Sequence, residues 1–148
     1  MILIDVNVLV YAHREDAPDH QPYLGWLYSV INSEQTYGMA ELVLSGFIRV
    51  ATHPKVFDPP SSLDTALAFA DQLLDQPNCL RVRPGPRHWN IFAELCRTSG
   101  AKGNLAADAY LAALAIEIGA EWITTDRDFA RFPGLRWRHP LHPHATSH

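Results

Sequence analysis

Apolar residues recur along this chain in short runs that change between a strand period and a helical one, and the changes mark its elements. Ile2-Leu-Ile4 is an apolar run rich in β-branched residues, as expected of a parallel strand buried on both faces, with Asp5 at its C-terminal end. Residues 7–13 begin a helix or turn, which Ala17-Pro-Asp-His20 breaks. Tyr23, Leu24, Trp26, Leu27, Val30 and Ile31 then follow helical spacing from Pro22 to Asn32-Ser33. Gln35-Thr-Tyr37 is a candidate second strand. Residues 39–52 read as a helix with Leu42, Val43, Phe47, Ile48 and Val50 apolar and Glu41 in its first turn, stopped at His53-Pro54 because the residue before a proline disfavours helix.

A loop with three prolines covers residues 54–62, and Ser61-Ser-Leu-Asp64 resembles an N-cap. Leu63, Ala66, Leu67, Ala70, Leu73 and Leu74 predict one buried face of the next helix. Leu80-Arg-Val-Arg83 alternates like a strand, and residues 86–97 predict a helix with Trp89, Phe92, Ala93 and Cys96 inward. After a linker at 98–103, Asn104 can cap a helix reaching Ile118, whose alanines 106, 109, 112, 113 and 115 permit close packing before Gly119 ends it. Glu121-Trp-Ile-Thr124 is a strand, residues 129–132 a helical turn, and residues 135–138 a last short strand. Strands separated by helices imply a parallel sheet covered on both faces, and ligand sites in such folds form at the C-terminal ends of the strands. Asp5 and Asp126 belong to that edge, as do Glu41 and Asp108 near helix N-termini.

Composition narrows the classes without naming a chemistry. With 148 residues, 47% hydrophobic and 19% charged, the chain suits one globular domain. No apolar run reaches the ~20 residues of a membrane span, so a cytoplasmic protein is expected. Cys79 and Cys96 form no disulfide framework or zinc pattern, and the eight His lack paired metal-ligand spacing. Residues 139–148, rich in His and Pro, read as a flexible tail beyond a domain spanning 1–138. The formal charge of −4 does not advertise nucleic-acid binding, yet ten of the twelve cations are Arg, the better bidentate partner for phosphate.

The carboxylates change that picture. Asp5 sits in an apolar run, where an ionised acid costs several kcal/mol unless compensated. Asp5, Glu41, Asp108 and Asp126 gathered at one sheet edge require a cation, because like charges raise one another's pKa. Oxygen ligands without Cys or paired His favour a hard ion, Mg²⁺ or Mn²⁺, which suits phosphodiester hydrolysis. Each acid also has a plain structural reading: Asp5 as a turn residue, Glu41 and Asp108 as helix N-terminal acids, Asp126 and Asp128 as caps. Asn7 and Thr124 are local hydrogen-bonding groups on the same reading.

Taken jointly, the pattern resembles the PIN-domain family, and within it the VapC toxins of bacterial toxin–antitoxin pairs. The resemblance runs from Ile2-Leu-Ile-Asp-Val-Asn-Val-Leu-Val-Tyr-Ala12 through Glu41 of Ala-Glu-Leu-Val-Leu to Ala107-Asp-Ala-Tyr-Leu-Ala-Ala-Leu-Ala115 and Trp122-Ile-Thr-Thr-Asp-Arg-Asp-Phe129. It implies a three-layer α/β/α sandwich around a mostly parallel sheet of four to five strands. It also implies catalytic and metal-binding roles for Asp5, Glu41, Asp108 and Asp126, supported by Asn7, Thr124 and Asp128. The implied activity is Mg²⁺-dependent cleavage of structured RNA such as tRNA or rRNA, arresting translation. The implied partners are a VapB-type antitoxin and a second copy of the chain in a homodimer. Arg14, Lys102, Arg127 and Arg131 are candidates to meet RNA, with Arg81, Arg83 and Arg87 as a second cluster. Trp26 and Trp89 either stack bases or fill the core. The competing expectations are a catalytically weak or inactive binding module, or a receiver-like domain, which wants a Lys beside the acids that neither Lys55 nor Lys102 supplies.

Overall fold

In the computed structural model, which describes residues 1–142 and the backbone of 146–147, five parallel strands form the central sheet. They are β1 (Ile2–Ile4), β2 (Tyr37–Ala40), β3 (Cys79–Val82), β4 (Glu121–Ile123) and β5 (Trp137–Arg138), in the spatial order β3-β2-β1-β4-β5, and β6 (Thr146–Ser147) joins β5 antiparallel. Ile2 is registered with Tyr37 on one side and Glu121 on the other. The chain thus leaves β1 in one direction and comes back to its other side with β4. That reversal of strand order beside β1 opens a crevice at the carboxyl ends of β1 and β4.

Consecutive strand residues point to opposite faces, and both Leu3 and Ile4 are buried, so both faces of the sheet are covered. Six helices do this: α1 (Val6–His13), α2 (His20–Ile31), α3 (Glu41–Ala51), α4 (Leu63–Leu74), α5 (His88–Ser99) and α6 (Asn104–Ile118). Helix α1 packs on α2 and α3, and α3 on α4, whereas α5 pairs with α6. Ala109, Ala112, Ala113 and Ala115 of α6 are fully buried, which lets that helix approach β4 and the buried Trp122 closely. The three-layer architecture is the one the sequence leads one to expect.

Element boundaries move where burial overrules local pattern. The second strand lies at Tyr37–Ala40 rather than 35–37, because Met39 and Ala40 are buried in the sheet while Gln35 and Thr36 are exposed. On α4 the buried face is Ala66, Ala70 and Leu73; Leu63 and Leu67 face solvent. On α5 the buried residues are His88 and Leu95, and Trp89 is 67% exposed, contrary to its expected place in the core. The cause is a polar side chain that found a partner: His88 Nε2 lies 3.0 Å from the Tyr110 carbonyl oxygen. Its ring satisfied, His88 takes the inward position and turns its neighbour Trp89 outward. The tail expected to be loose from 139 onward is attached at its start. Pro140 is buried, and the Tyr23 hydroxyl lies 3.4 Å from His139 Nε2. The rest of that expectation, residues 143–145 and 148 and the side chains of 146–147, lies outside the described residues.

Gly38 in β2 has no room for a side chain, since a Cβ would collide with Leu3 from β1 and Val82 from β3. Gly38→Ala is expected to lower stability by about 1–3 kcal/mol through overpacking. Urea unfolding measures this, and an unshifted midpoint would mean that β1 and β3 are not held this tightly against β2.

Candidate active site

Asp5 is the first residue after β1 and the N-cap of α1. The chain leaves the strand there, and the Asp5 side chain accepts the Val6 N–H at 2.7 Å, which satisfies one of the orphan donors of the helix start. Its other oxygen accepts the Thr124 hydroxyl at 2.7 Å and the Asn7 amide at 3.3 Å. Thr124, fully buried at the end of β4, in turn accepts the Asp126 N–H at 3.0 Å. Asn7 reaches the same strand end through its side-chain oxygen, which accepts the Thr125 N–H at 3.3 Å. These bonds tie the ends of β1 and β4 into one polar floor. Asp126 caps the 3-10 turn at Arg127–Arg131, accepting the Asp128 N–H at 2.8 Å.

A cleft of about 980 Å³ opens above this floor. Asp5, Asn7 and Asp126 line its base, Asn104, Ala107, Asp108 and Leu111 of α6 one wall, and Leu42, Ser45, Gly46 and Arg49 of α3 another. Both wall sets follow the three- and four-residue spacing of a single helical face. Burial pushes the Asp5 carboxyl up to about 6; the Thr124 and Val6 bonds oppose this, and the charges of Asp108 and Asp126 add to it. Burial likewise pushes Asp108 up to about 6, with smaller contributions from Asp126 and Asp128.

Three of the four expected acids therefore share one cleft, and Glu41 does not join them. Its side chain is 56% exposed and paired with Arg83 at 3.2 Å, outside the cleft lining. The reason is its neighbour strand: β3 pairs with β2 in register, so Arg83 leaves the sheet beside Glu41. Among the described residues no three His, Cys, Asp or Glu side chains already surround one point. The donors nevertheless fit a hard divalent ion. Burial disfavours ionisation of Asp5 and Asp108, and no described Lys, Arg or His bonds to Asp5, Asp108 or Asp126.

The expected basic rim is also redistributed. Arg14 is withdrawn from the candidates for RNA, since only 13% of its side chain is exposed and its guanidinium is fully engaged. It is paired with Asp16 at 2.7 Å, donates to the Pro59 carbonyl at 3.0 Å and lies over the Phe57 ring. Lys102, Arg127 and Arg131 are exposed but outside the cleft lining, as is Asp128, 3.9 Å from Arg131. Arg81 is exposed, and Arg87 donates to the Glu117 carbonyl at 2.7 Å. Trp26 is half-buried and packs against the core. Sequence reasoning did not single out Ser45 and Arg49 of the cleft wall; their three- and four-residue spacing with Leu42 and Gly46 was the available signal.

The raised Asp5 pKa makes a claim about stability. The folded chain favours the protonated carboxyl, so its contribution is present below the ordinary value near 3.8 and is lost as pH rises through about 6. In chelator, the chain is expected to lose about 2 kcal/mol of stability between pH 4 and 7 relative to Asp5→Asn. Parallel melts of the two proteins across that range check this, and superimposable pH profiles would refute the burial of an ionising Asp5.

Comparison with known proteins places this geometry. Residues 2–135 match the PIN domain. Ribonuclease VapC43 of Mycobacterium tuberculosis is 50% identical over 141 residues, spanning 95% of this chain and 96% of that protein. Ribonuclease VapC25 of the same organism is 39% identical over 140 residues, covering 95% and 99% of the two chains. Among solved structures, a chain of the Rickettsia felis VapBC2 complex, bound to a promoter DNA fragment, superposes with a TM-score of 0.67 at 21% identity, covering 94% of this chain and 98% of that one. The PIN-domain match spans nearly the whole chain and a relative 50% identical covers 95% of it, so this chain, with its sheet order reversing beside a buried aspartate, belongs to the PIN-domain family.

Proposed function

We propose that this chain is a ribonuclease toxin of the VapC type, hydrolysing phosphodiester bonds in structured RNA such as tRNA or rRNA and thereby arresting translation. The observation that carries the reading is the pair of carboxyls, Asp5 and Asp108, both pushed to about 6 in one cleft with Asp126 beside them. Relatives of half-identical sequence that bear the name ribonuclease support the same reaction here.

Asp5, Asp108 and Asp126 would hold Mg²⁺, or Mn²⁺ in its place. Glu41 is available to them at low cost, since an exposed ion pair like the one with Arg83 is worth about 1 kcal/mol or less. When bound, the ion would lower the pKa of a water so that it can react as hydroxide, and would offset negative charge on the phosphoryl oxygens. The residues of the chain orient the rest. Thr124 and Asn7 fix the Asp5 carboxylate, so its free lone pairs keep one direction. The water oxygen displaces one ester oxygen at phosphorus, a proton leaves the water, and a proton reaches the departing oxygen. Asp108 accepts no hydrogen bond within the described chain, so a carboxylate oxygen is free to orient the attacking water, whose proton passes to solvent.

A VapB-type antitoxin is the partner this reading requires, and the VapBC complexes that share the fold support it. Exposed apolar Leu42 and Val56 on the cleft wall suit cover by a protein. No described helix is long and apolar enough to cross a membrane, which is consistent with action in the cytoplasm. A homodimer completes the proposal.

Asp5→Asn and Asp108→Asn are expected to cut RNA cleavage by about 100-fold or more while leaving the far-UV spectrum unchanged. Chelation is expected to abolish cleavage and Mg²⁺ or Mn²⁺ to restore it. Purified protein incubated with total RNA reads both. RNA that is bound but uncut at every metal concentration overturns the reading in favour of a binding module. Thr124→Val, which removes the hydroxyl that orients Asp5, is expected to lower the rate by a smaller factor than Asp5→Asn in the same assay.

A further inference from the structure

The acids explain how a phosphodiester is cut but not how a polyanion is seated in an acidic cleft on a chain of net charge −4. Something in the cleft must favour phosphate before chemistry begins. Of the residues lining it, Arg49 is the one that carries a positive charge. It lies on the cleft-facing stripe of α3 with Leu42, Ser45 and Gly46. Among the described residues its guanidinium has no ion-pair or side-chain hydrogen-bond partner, whereas Arg14, Arg83, Arg97, Arg131 and Arg138 each lie within ion-pairing distance of an acid. An Arg in the last turn of a helix also complements the helix dipole, but a dipole partner has no need to face a cleft.

We propose that Arg49 is a substrate-binding residue that grips a backbone phosphate of the RNA adjacent to, and distinct from, the one being hydrolysed. Among the described residues Arg49 makes no ion pair with Asp5, Asp108 or Asp126, so its charge is not spent on the acid floor. Its planar, permanently charged fork suits a phosphate oxygen pair. Ser45, one turn back on the same stripe, offers a hydroxyl to the same strand. Gly46 keeps the wall low between them, with Val6 beneath it. The contact is sequence-blind, so Arg49 contributes affinity and register rather than base choice. The inference rests on the ribonuclease reading above.

The test uses the full chain with Mg²⁺. Binding of fluorescein-labelled total tRNA is measured by anisotropy from 25 to 200 mM KCl in an Asp108→Asn background that does not cleave. Initial rates on total RNA are measured in the parent. Arg49→Ala is expected to weaken binding about tenfold, as loss of a charge-assisted contact does. It is expected to lower the slope of log affinity against log salt by about 0.7–0.9, the signature of one phosphate. In the parent it is expected to raise KM while kcat stays within about twofold and the melting temperature is unchanged. Arg49→Lys retains the salt slope, and Arg97→Ala, an exposed charge on α5, changes neither quantity. If Arg49→Ala binds with the parent's affinity and slope, or loses kcat with binding intact, the proposal is overturned while the ribonuclease reading stands. If the parent leaves total RNA uncut, that reading fails and this inference falls with it.

Discussion

The site depends on a carboxylate that is nearly buried at the base of an open cleft. Asp5 is 5% exposed, and an aspartate so placed is tolerated because three donors converge on it: the Val6 N–H, the Thr124 hydroxyl and the Asn7 amide. They do not cancel the cost of burial, which still holds the carboxyl near 6. The residual cost is what gives the residue its chemistry, since a group that ionises reluctantly gains most from a cation brought beside it. The same bonds set the direction in which Asp5 points, so stability and orientation come from one set of contacts.

That arrangement is made by strand order. Thr124 and Asp5 are 119 residues apart and 2.7 Å distant at their side chains, because β4 returns to β1 on the side away from β2. Any sheet that placed β4 beyond β3 would separate them. The alanine face of α6 serves the same end: by packing closely on β4 it brings Asp108, one turn from the start of the helix, over the end of the strand. The core thus positions the acids, and the cleft is the space left where the strand order reverses.

The surroundings show how charge is apportioned on an acidic chain. Arg14 is committed to structure, bracing Asp16, the Pro59 carbonyl and the Phe57 ring, and so holds the proline-rich loop whose Val56 and Phe57 form part of the cleft wall. Arg83 occupies Glu41 at the surface, where screening makes the attachment weak. Arg49 alone among the described cleft residues is left with a free cationic head.

Most of the architecture was legible in order along the chain, because strand and helix periods are local properties: β1, α1, α3, α6 and β4 lie within a few residues of their expected places. Asp5 and Asp126 at strand ends were legible too, since a charged side chain that closes an apolar run marks the point where the chain leaves the sheet. Which way side chains turn was not. Trp89 faces out because His88 found the Tyr110 carbonyl, and Glu41 turns away because β3 sets Arg83 beside it. Arg14 and Arg49 look alike in the sequence, and only the packing around them decided that one is a brace and the other stands free in the cleft. Periodicity reports the face a residue occupies, whereas partners from distant segments decide whether its charge is used, and those partners exist only once the chain has folded.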